Sequence, residues 1–209
     1  DGQDVIVGGE DFTVKGGSPN AAGLRKSVYT EDLAVKHKFP LVRLHEGGGG
    51  SVAGPSKEKK GYGGDPVFAR SRFKSVAQTL KEVPVVSAAL GPVAGLPASR
   101  FVGSHFRIMV KDNAQILVAG PAVVSRAFGK DFTKEELGGS DVHKKNGVTD
   151  NIAESEEDAF NQIKKFLSFF PANIYELPPK KDSKDDISRS EKLLEEIIPK
   201  DRKKTYEMR

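Results

Sequence analysis

The chain of 209 residues contains no cysteine and no tryptophan. None of its apolar runs approaches the roughly 20 residues that a membrane-spanning helix needs. The missing cysteines exclude disulfide bonds, a thiolate nucleophile and zinc sites built on cysteine. The 33 basic residues are interleaved with 29 acidic ones, and the net charge is only +4. Because no recognition motif with stacking aromatic residues accompanies these charges, we expect neither nucleic-acid binding nor membrane insertion.

Motifs with a specific chemistry are also scarce. The segment "GLRKS" does not satisfy the phosphate-loop pattern, and "GGSVAG" misses the nucleophile-elbow pattern by one residue. The four histidines have no metal-ligand spacing, so we expect them to be surface or supporting side chains; they are His37, His45, His105 and His143. The first residues, "DGQDVIVGG", include no start methionine and no signal-peptide pattern, which indicates an internal fragment of a longer protein.

Apolar runs alternate with helical patterns along the chain. "DVIV" and "DFTV" predict a hairpin-like start, and a helix follows as far as about Lys38. "FPLVRL", "VPVVSAAL", "FRIMV" and "QILVAG" predict buried strands, and a capping box from Ser155 to Asp158 opens a long helix. This alternation predicts an α/β domain that ends near Pro179. The residues from Gly50 to Gly64, rich in Gly, Pro and Lys, predict a mobile loop.

Two of the predicted strands end in glycine, at "HEGGGGSVAG" and at "GPVAGLPASRF". Ligands of α/β sheets bind at the carboxyl ends of strands, and backbone N–H groups there suit an oxyanion. The glycines are therefore compatible with a site that has exposed amide donors. A pair of ordinary loops remains the alternative that the residues alone leave open.

Six segments, in this order, resemble the carboxyltransferase (β) subunits of biotin-dependent acyl-CoA carboxylases. They are "DFTVKGGS", "ALGPVAGLPASRF", "VKDNAQILVAGPAVV", "TKEELGGSDVHKKNGVTD", "SEEDAFNQIKKFLSFFP" and "DRKKTYEMR", and the block "EELGGSDVHKKNGV" is the most specific. The resemblance implies a crotonase-like ββα spiral over residues 1–179. It also implies a charged linker and short helix over residues 180–209, leading to an absent C-terminal domain.

The same resemblance implies the function of an N-terminal carboxyltransferase half. In that family, CO2 moves from carboxybiotin to the α-carbon of an acyl-CoA through an enolate held by backbone donors. The implied cofactor is biotin on a partner protein, and acyl-CoA is the substrate. The implied partners are a biotin carboxylase or carrier subunit, the C-terminal carboxyltransferase domain and further copies in a homo-oligomer. The implied compartment is the cytoplasm or the mitochondrial matrix, and the isolated chain is expected to be inactive.

The resemblance also implies which residues of this sequence correspond to the family's site residues. Its "SGGA" turn matches Glu46 to Gly49, so Gly48 and Gly49 are predicted oxyanion donors, together with Gly95 and Leu96 of the "AGG" turn. The resemblance assigns five residues to the CoA nucleotide: Gly16, Gly17, Ser18, Lys26 and Ala94. Lys26 is either a phosphate partner or an exposed helix lysine. Two departures, Glu46 and Leu96, keep a non-catalytic binding or assembly module as an alternative. A stand-alone hydratase or isomerase is disfavoured because "VAGLPASR" supplies no carboxylate.

Overall fold

The computed structural model describes residues 2–18, 21–49 and 72–206. The loop predicted between Gly50 and Gly64 lies outside these residues. The chain divides into two compact units, Asp1–Pro179 and Lys180–Arg209. The candidate site lies in the first unit.

Six strands of the first unit form one sheet: β1 Ile6–Gly9, β2 Leu41–Gly47, β3 Val85–Ala94, β4 Phe106–Val110, β5 Gln115–Leu117 and β6 Asn151–Ala153. All five described pairings are parallel, in the order β1-β2-β3-β4-β6, and β5 pairs with the end of β3. The β2–β3 register shifts between His45 and Gly47. Val85 and Val86 are both fully buried and belong to different apolar clusters, so both faces of β3 are covered.

Eight α-helices accompany the strands in the described residues: α1 Ala21–His37, α2 Arg72–Glu82, α3 Leu96–Val102, α4 Pro121–Phe128, α5 Lys134–Gly138, α6 Ser140–Asn146, α7 Glu156–Leu167 and α8 Lys192–Glu196. Helix α8 belongs to the second unit. In α7 the Ser155 hydroxyl accepts the Asp158 N–H at 3.1 Å, which is one half of the predicted capping box. A complete capping box opens α5, between Thr133 and Glu136.

One expectation about the elements is wrong, and two elements were not predicted. The chain does not start with a hairpin, because "DFTV" forms a turn in which the Asp11 carboxylate accepts the Thr13 N–H at 2.9 Å. Helix α3 directly follows the second glycine run and was not predicted. Pro97 is tolerated in this helix because it lies in the first helical turn. Strand β6 has only three residues and gives no clear sequence signal.

Candidate functional site

Three short segments meet where β2 and β3 end. We call them the glycine turns: residues 16–18, 47–49 and 94–96. The Gly48 N–H donates to the Gly16 carbonyl at 2.9 Å. A Cβ on Gly17 would lie 2.6 Å from the Glu46 carbonyl oxygen, and one on Gly49 would lie 3.3 Å from the Gly95 Cα. The structure therefore brings the predicted glycines together, although they are far apart in sequence.

Close packing of backbone on backbone explains why these positions are glycine. Gly17 has φ +67° and so does Gly95, a backbone conformation that disfavours any side chain. At Gly17 a side chain would also collide with the neighbouring turn. Glycine is thus required for contact between the turns, whatever their amides do.

Two of the predicted amide donors are already engaged. The Gly48 N–H is bonded to Gly16, and the Gly95 N–H donates to the Leu117 carbonyl at 3.2 Å. The prediction that Gly48 and Gly95 present open donors is therefore wrong for this conformation. Among the described residues, no acceptor is recorded for the N–H groups of Gly49 and Leu96.

A cavity of about 560 Å³ lies beside the turns, bounded by β1, α1, β2 and the start of α3. Four predicted site residues line this cavity: Gly17, Ser18, Lys26 and Leu96. The other five, Gly16, Gly48, Gly49, Ala94 and Gly95, do not line it. The cavity volume is in the usual range for a small-molecule site, and Lys26 is an exposed residue at its edge.

One side of the cavity contains three buried charged residues that we call the charged wall: Glu31, Arg43 and Arg100. Glu31 Oε1 lies 2.9 Å from Arg43 Nη2 and 3.1 Å from Arg100 Nε. Burial lowers the pKa of Arg43 from its ordinary value, and the Glu31 carboxylate opposes that shift. Three atoms of the charged wall are buried and have no hydrogen-bond partner among the described residues: Glu31 Oε2, Arg100 Nε and Arg100 Nη2. The 3.1 Å contact of Arg100 Nε with Glu31 is therefore an ion pair without a hydrogen bond.

Sequence reasoning missed the charged wall, although one signal was present. Arg43 interrupts the apolar run "FPLVRL", where a charged residue in a buried strand calls for a partner. Its partners come from two other elements, α1 and α3, so no local spacing pattern connects them.

His45 also lines the cavity and belongs to a separate buried network. Its Nδ1 lies 3.0 Å from a Glu10 carboxylate oxygen, and its Nε2 lies 3.3 Å from Ser87 Oγ. Carboxylate, imidazole and hydroxyl are connected as in a serine hydrolase. However, Ser87 is fully buried and does not line the cavity, so a substrate carbonyl has no access to it. Ser87 therefore has a structural role in this network.

The sequence predicts that the histidines are surface or supporting side chains. Two of them are not at the surface but do support the structure. His45 and His143 are buried, and His143 Nε2 lies 2.8 Å from the Ile116 carbonyl oxygen. Over the residues that the structure describes, no group of three or more His, Cys, Asp or Glu could hold a metal ion. Within the same residues, no helix is both long and apolar enough to cross a membrane.

The most family-specific block, "EELGGSDVHKKNGV", packs against β5. A Cβ on Gly138 would overlap with the Ile116 carbonyl oxygen, and the His143 ring contacts the same oxygen. Gln115 of β5 also donates to the Glu135 carboxylate. This block therefore supports the strand whose last residue, Leu117, accepts the Gly95 N–H.

The parallel sheet with its helices defines an α/β protein, and solved structures identify its class. The chain is similar to transcarboxylase 12S, a structure with bound methylmalonyl-coenzyme A, at a TM-score of 0.67 and 28% identity, covering 96% of this chain and 38% of that one. Such structural neighbours are carboxyltransferases, so the fold is crotonase-like, as the sequence resemblance implied.

Sequence comparison then identifies the family. Residues 1–209 match the carboxyl transferase domain, and the chain belongs to that family. It is 32% identical to the methylmalonyl-CoA decarboxylase subunit alpha of Veillonella parvula, over all of this chain and 40% of the relative. It is also 32% identical to the propionyl-CoA carboxylase carboxyltransferase subunit of Haloferax mediterranei, over all of this chain and 39% of the relative. The chain thus spans about two fifths of the length of these curated relatives.

Proposed function

We propose that this chain is the N-terminal, CoA-binding part of an acyl-CoA carboxylase carboxyltransferase. The observation that carries the proposal is the cavity at the strand ends, because four family-implied residues line it together: Gly17, Ser18, Lys26 and Leu96. Its lining combines apolar side chains with charges of both signs. Arg43 and Arg100 are paired with Glu31, so the exposed cation that suits a CoA phosphate is Lys26. The relatives' names, which include propionyl-CoA and methylmalonyl-CoA, support the same substrate class.

Each residue has a distinct role in this proposal. Lys26, exposed at the cavity edge, pairs with a phosphate of CoA. Leu96 begins α3, and its N–H holds the thioester oxygen as negative charge develops in the enolate. The five predicted residues that do not line the cavity support the turns through backbone contacts: Gly16, Gly48, Gly49, Ala94 and Gly95. Carboxybiotin, carried on a partner protein or domain, supplies the CO2 when it is bound.

The remaining parts of the proposal concern the whole protein. A C-terminal domain from the same or another copy completes the site, so the isolated chain binds acyl-CoA without turnover. The natural protein is a homo-oligomer in the cytoplasm or the mitochondrial matrix, with a biotin carboxylase or carrier as partner. Residues 1–179 form the carboxyltransferase domain, and residues 180–209 lead to the next one.

A second candidate function is a non-catalytic acyl-CoA-binding module. The observation that favours it is the engagement of two amides, those of Gly48 and Gly95, in main-chain hydrogen bonds. Under this alternative Leu96 contributes bulk to the cavity but no donor to a reaction.

One experiment separates the two candidates. The protein of full natural length is assayed for carboxylation of propionyl-CoA as wild type, Leu96→Pro and Leu96→Gly. Both substitutions remove the leucine side chain, but only proline at this first helical position also removes the N–H. The kcat of Leu96→Pro should therefore fall ~10²- to 10³-fold below that of Leu96→Gly, whereas KM changes little. Leu96→Gly keeps the donor and should retain kcat while altering the range of acyl groups. Equal activity of wild type and Leu96→Pro would refute the catalytic role. Absence of turnover with retained propionyl-CoA binding would favour the binding module.

A further inference from the structure

The charged wall connects the three elements on which the candidate site is built. Glu31 lies on α1, which also provides Lys26, while Arg43 lies on β2, which leads into Gly47 to Gly49. Arg100 lies on α3, one turn after Leu96. The single Glu31 oxygen Oε1 thus contacts both other elements, at 2.9 Å from Arg43 Nη2 and 3.1 Å from Arg100 Nε.

Further hydrogen bonds make the same connection. Arg43 Nη1 donates to the carbonyl oxygens of Arg100 at 3.3 Å and Gly103 at 3.1 Å, at the end of α3. Arg100 Nη1 donates to Ser27 Oγ of α1 at 2.7 Å. The Arg43 guanidinium therefore contacts both other elements, whereas the Arg100 guanidinium contacts α1 alone and Arg100 meets β2 through its carbonyl oxygen. The planar guanidinium fixes the direction of the bonds that each arginine donates.

Stability alone does not explain such an arrangement. The three residues are 1%, 5% and 4% exposed, so their charges have lost most of their hydration. Well-packed apolar side chains of similar volume are often as stable in such positions, or more so. Directional contacts differ from apolar packing in one respect, since they specify the relative placement of the elements that make them.

We propose that Glu31, Arg43 and Arg100 are positioning residues for the candidate site, holding the start of α3 in place against α1 and β2. The wall sets where the Leu96 N–H lies relative to Lys26 and the glycine turns, at the edge of one cavity. This inference rests on the proposed function for its catalytic consequence, but its geometric part is independent of that function.

The test compares ionic with apolar walls. In Glu31→Met/Arg43→Met/Arg100→Met all three charges are replaced together, and the melting temperature should stay within a few degrees of wild type. Nevertheless, kcat of the full-length protein should fall ~10- to 100-fold, because small displacements of a donor are costly. If the wall only stabilises the fold, this folded variant should have the kcat of wild type. That result would overturn the proposal.

If the triple variant fails to fold, the single variant Glu31→Gln is assayed in its place. Its matched control is Val85→Ala, a core substitution on β3 away from the wall that also lowers stability. At temperatures where both variants are fully folded, only Glu31→Gln should lose kcat, and equal losses would overturn the proposal.

A readout without substrate separates this inference from the proposed function. The NMR amide shift of Leu96 should move in the wall variants and stay at its wild-type value in Val85→Ala. An unmoved Leu96 amide refutes positioning, whether or not the protein binds acyl-CoA. A moved amide in a protein that binds no acyl-CoA supports positioning while refuting the proposed function.

Discussion

The glycine turns and the charged wall bring distant segments into contact by opposite physical means. In the turns, most residues are glycine and backbone packs directly on backbone, as in the hydrogen bond from the Gly48 N–H to the Gly16 carbonyl. In the wall, long side chains bury full charges, and three of their polar atoms have no hydrogen-bond partner among the described residues. The contacts between the turns therefore depend on the close fit of backbone atoms, whereas those in the wall depend on the balance of buried charges. The two regions should respond differently to substitution.

The largest expected effect is on the wall. Replacing Glu31 alone by Leu leaves two buried guanidinium groups without their carboxylate, so the free energy of unfolding should fall by about 3–5 kcal/mol. Urea denaturation followed by circular dichroism measures this change. The same substitution in an Arg43→Met/Arg100→Met background should recover most of the loss. A purely steric defect would instead persist in that background.

A smaller effect should follow in the turns, where two adjacent glycines form a matched pair. Gly16 and Gly17 both have positive φ, but only at Gly17 would an added Cβ meet the neighbouring turn. Gly16→Ala should cost about 1–2 kcal/mol from the backbone conformation alone. Gly17→Ala should cost a further ~1–3 kcal/mol from overlap with Glu46 and Gly47. Equal losses in the two variants would show that backbone contact does not explain these glycines.

The smallest effect concerns pH. Burial lowers the pKa of His105 from its ordinary value, and the charge of Arg43 lowers it further, although a hydrogen bond to the Leu80 backbone opposes both. The Val85 N–H donates to Nδ1 of the neutral His105 ring at 3.0 Å. Since the unfolded chain binds this proton more readily, stability should fall as the pH drops below the unfolded value of about 6.5.

NMR titration of the His105 ring measures this pKa directly. In Arg43→Met the pKa of His105 should rise, whereas replacing Lys36, an exposed residue on α1, by Met should leave it unchanged. A His105 pKa that is the same in wild type and Arg43→Met would show that the charge of the wall is not felt at this distance.

Strong local patterns made much of the fold predictable. Strands β2 and β3 are near-continuous apolar runs, and α7 has both a capping serine and a clear apolar face. Helix α3 was missed because glycine and proline at its start resemble a turn, although proline is compatible with a first helical turn. The hairpin prediction failed because Phe12 and Val14 alternate like a strand but are largely exposed in a turn.

The sequence predicted where the glycine turns meet better than it predicted what their amides do. Glycine at the strand ends correctly indicated where the segments meet. It did not show that the Gly48 and Gly95 amides would donate to the carbonyls of Gly16 and Leu117, because these acceptors lie 32 and 22 residues away in sequence. The charged wall depends in the same way on tertiary contacts, between residues 12 and 57 positions apart.

The parallel sheet has a kinetic consequence. Each described strand pair is joined by a crossover, so none can begin as a local hairpin. Strand β3 pairs with β2, β4 and β5, which makes it the common requirement for most of the sheet. During synthesis, β1 and β2 emerge first and must wait for residues 85–94 before this central strand exists. Folding should therefore be slow for a chain of this size, with loop closure around β3 as its main entropic barrier.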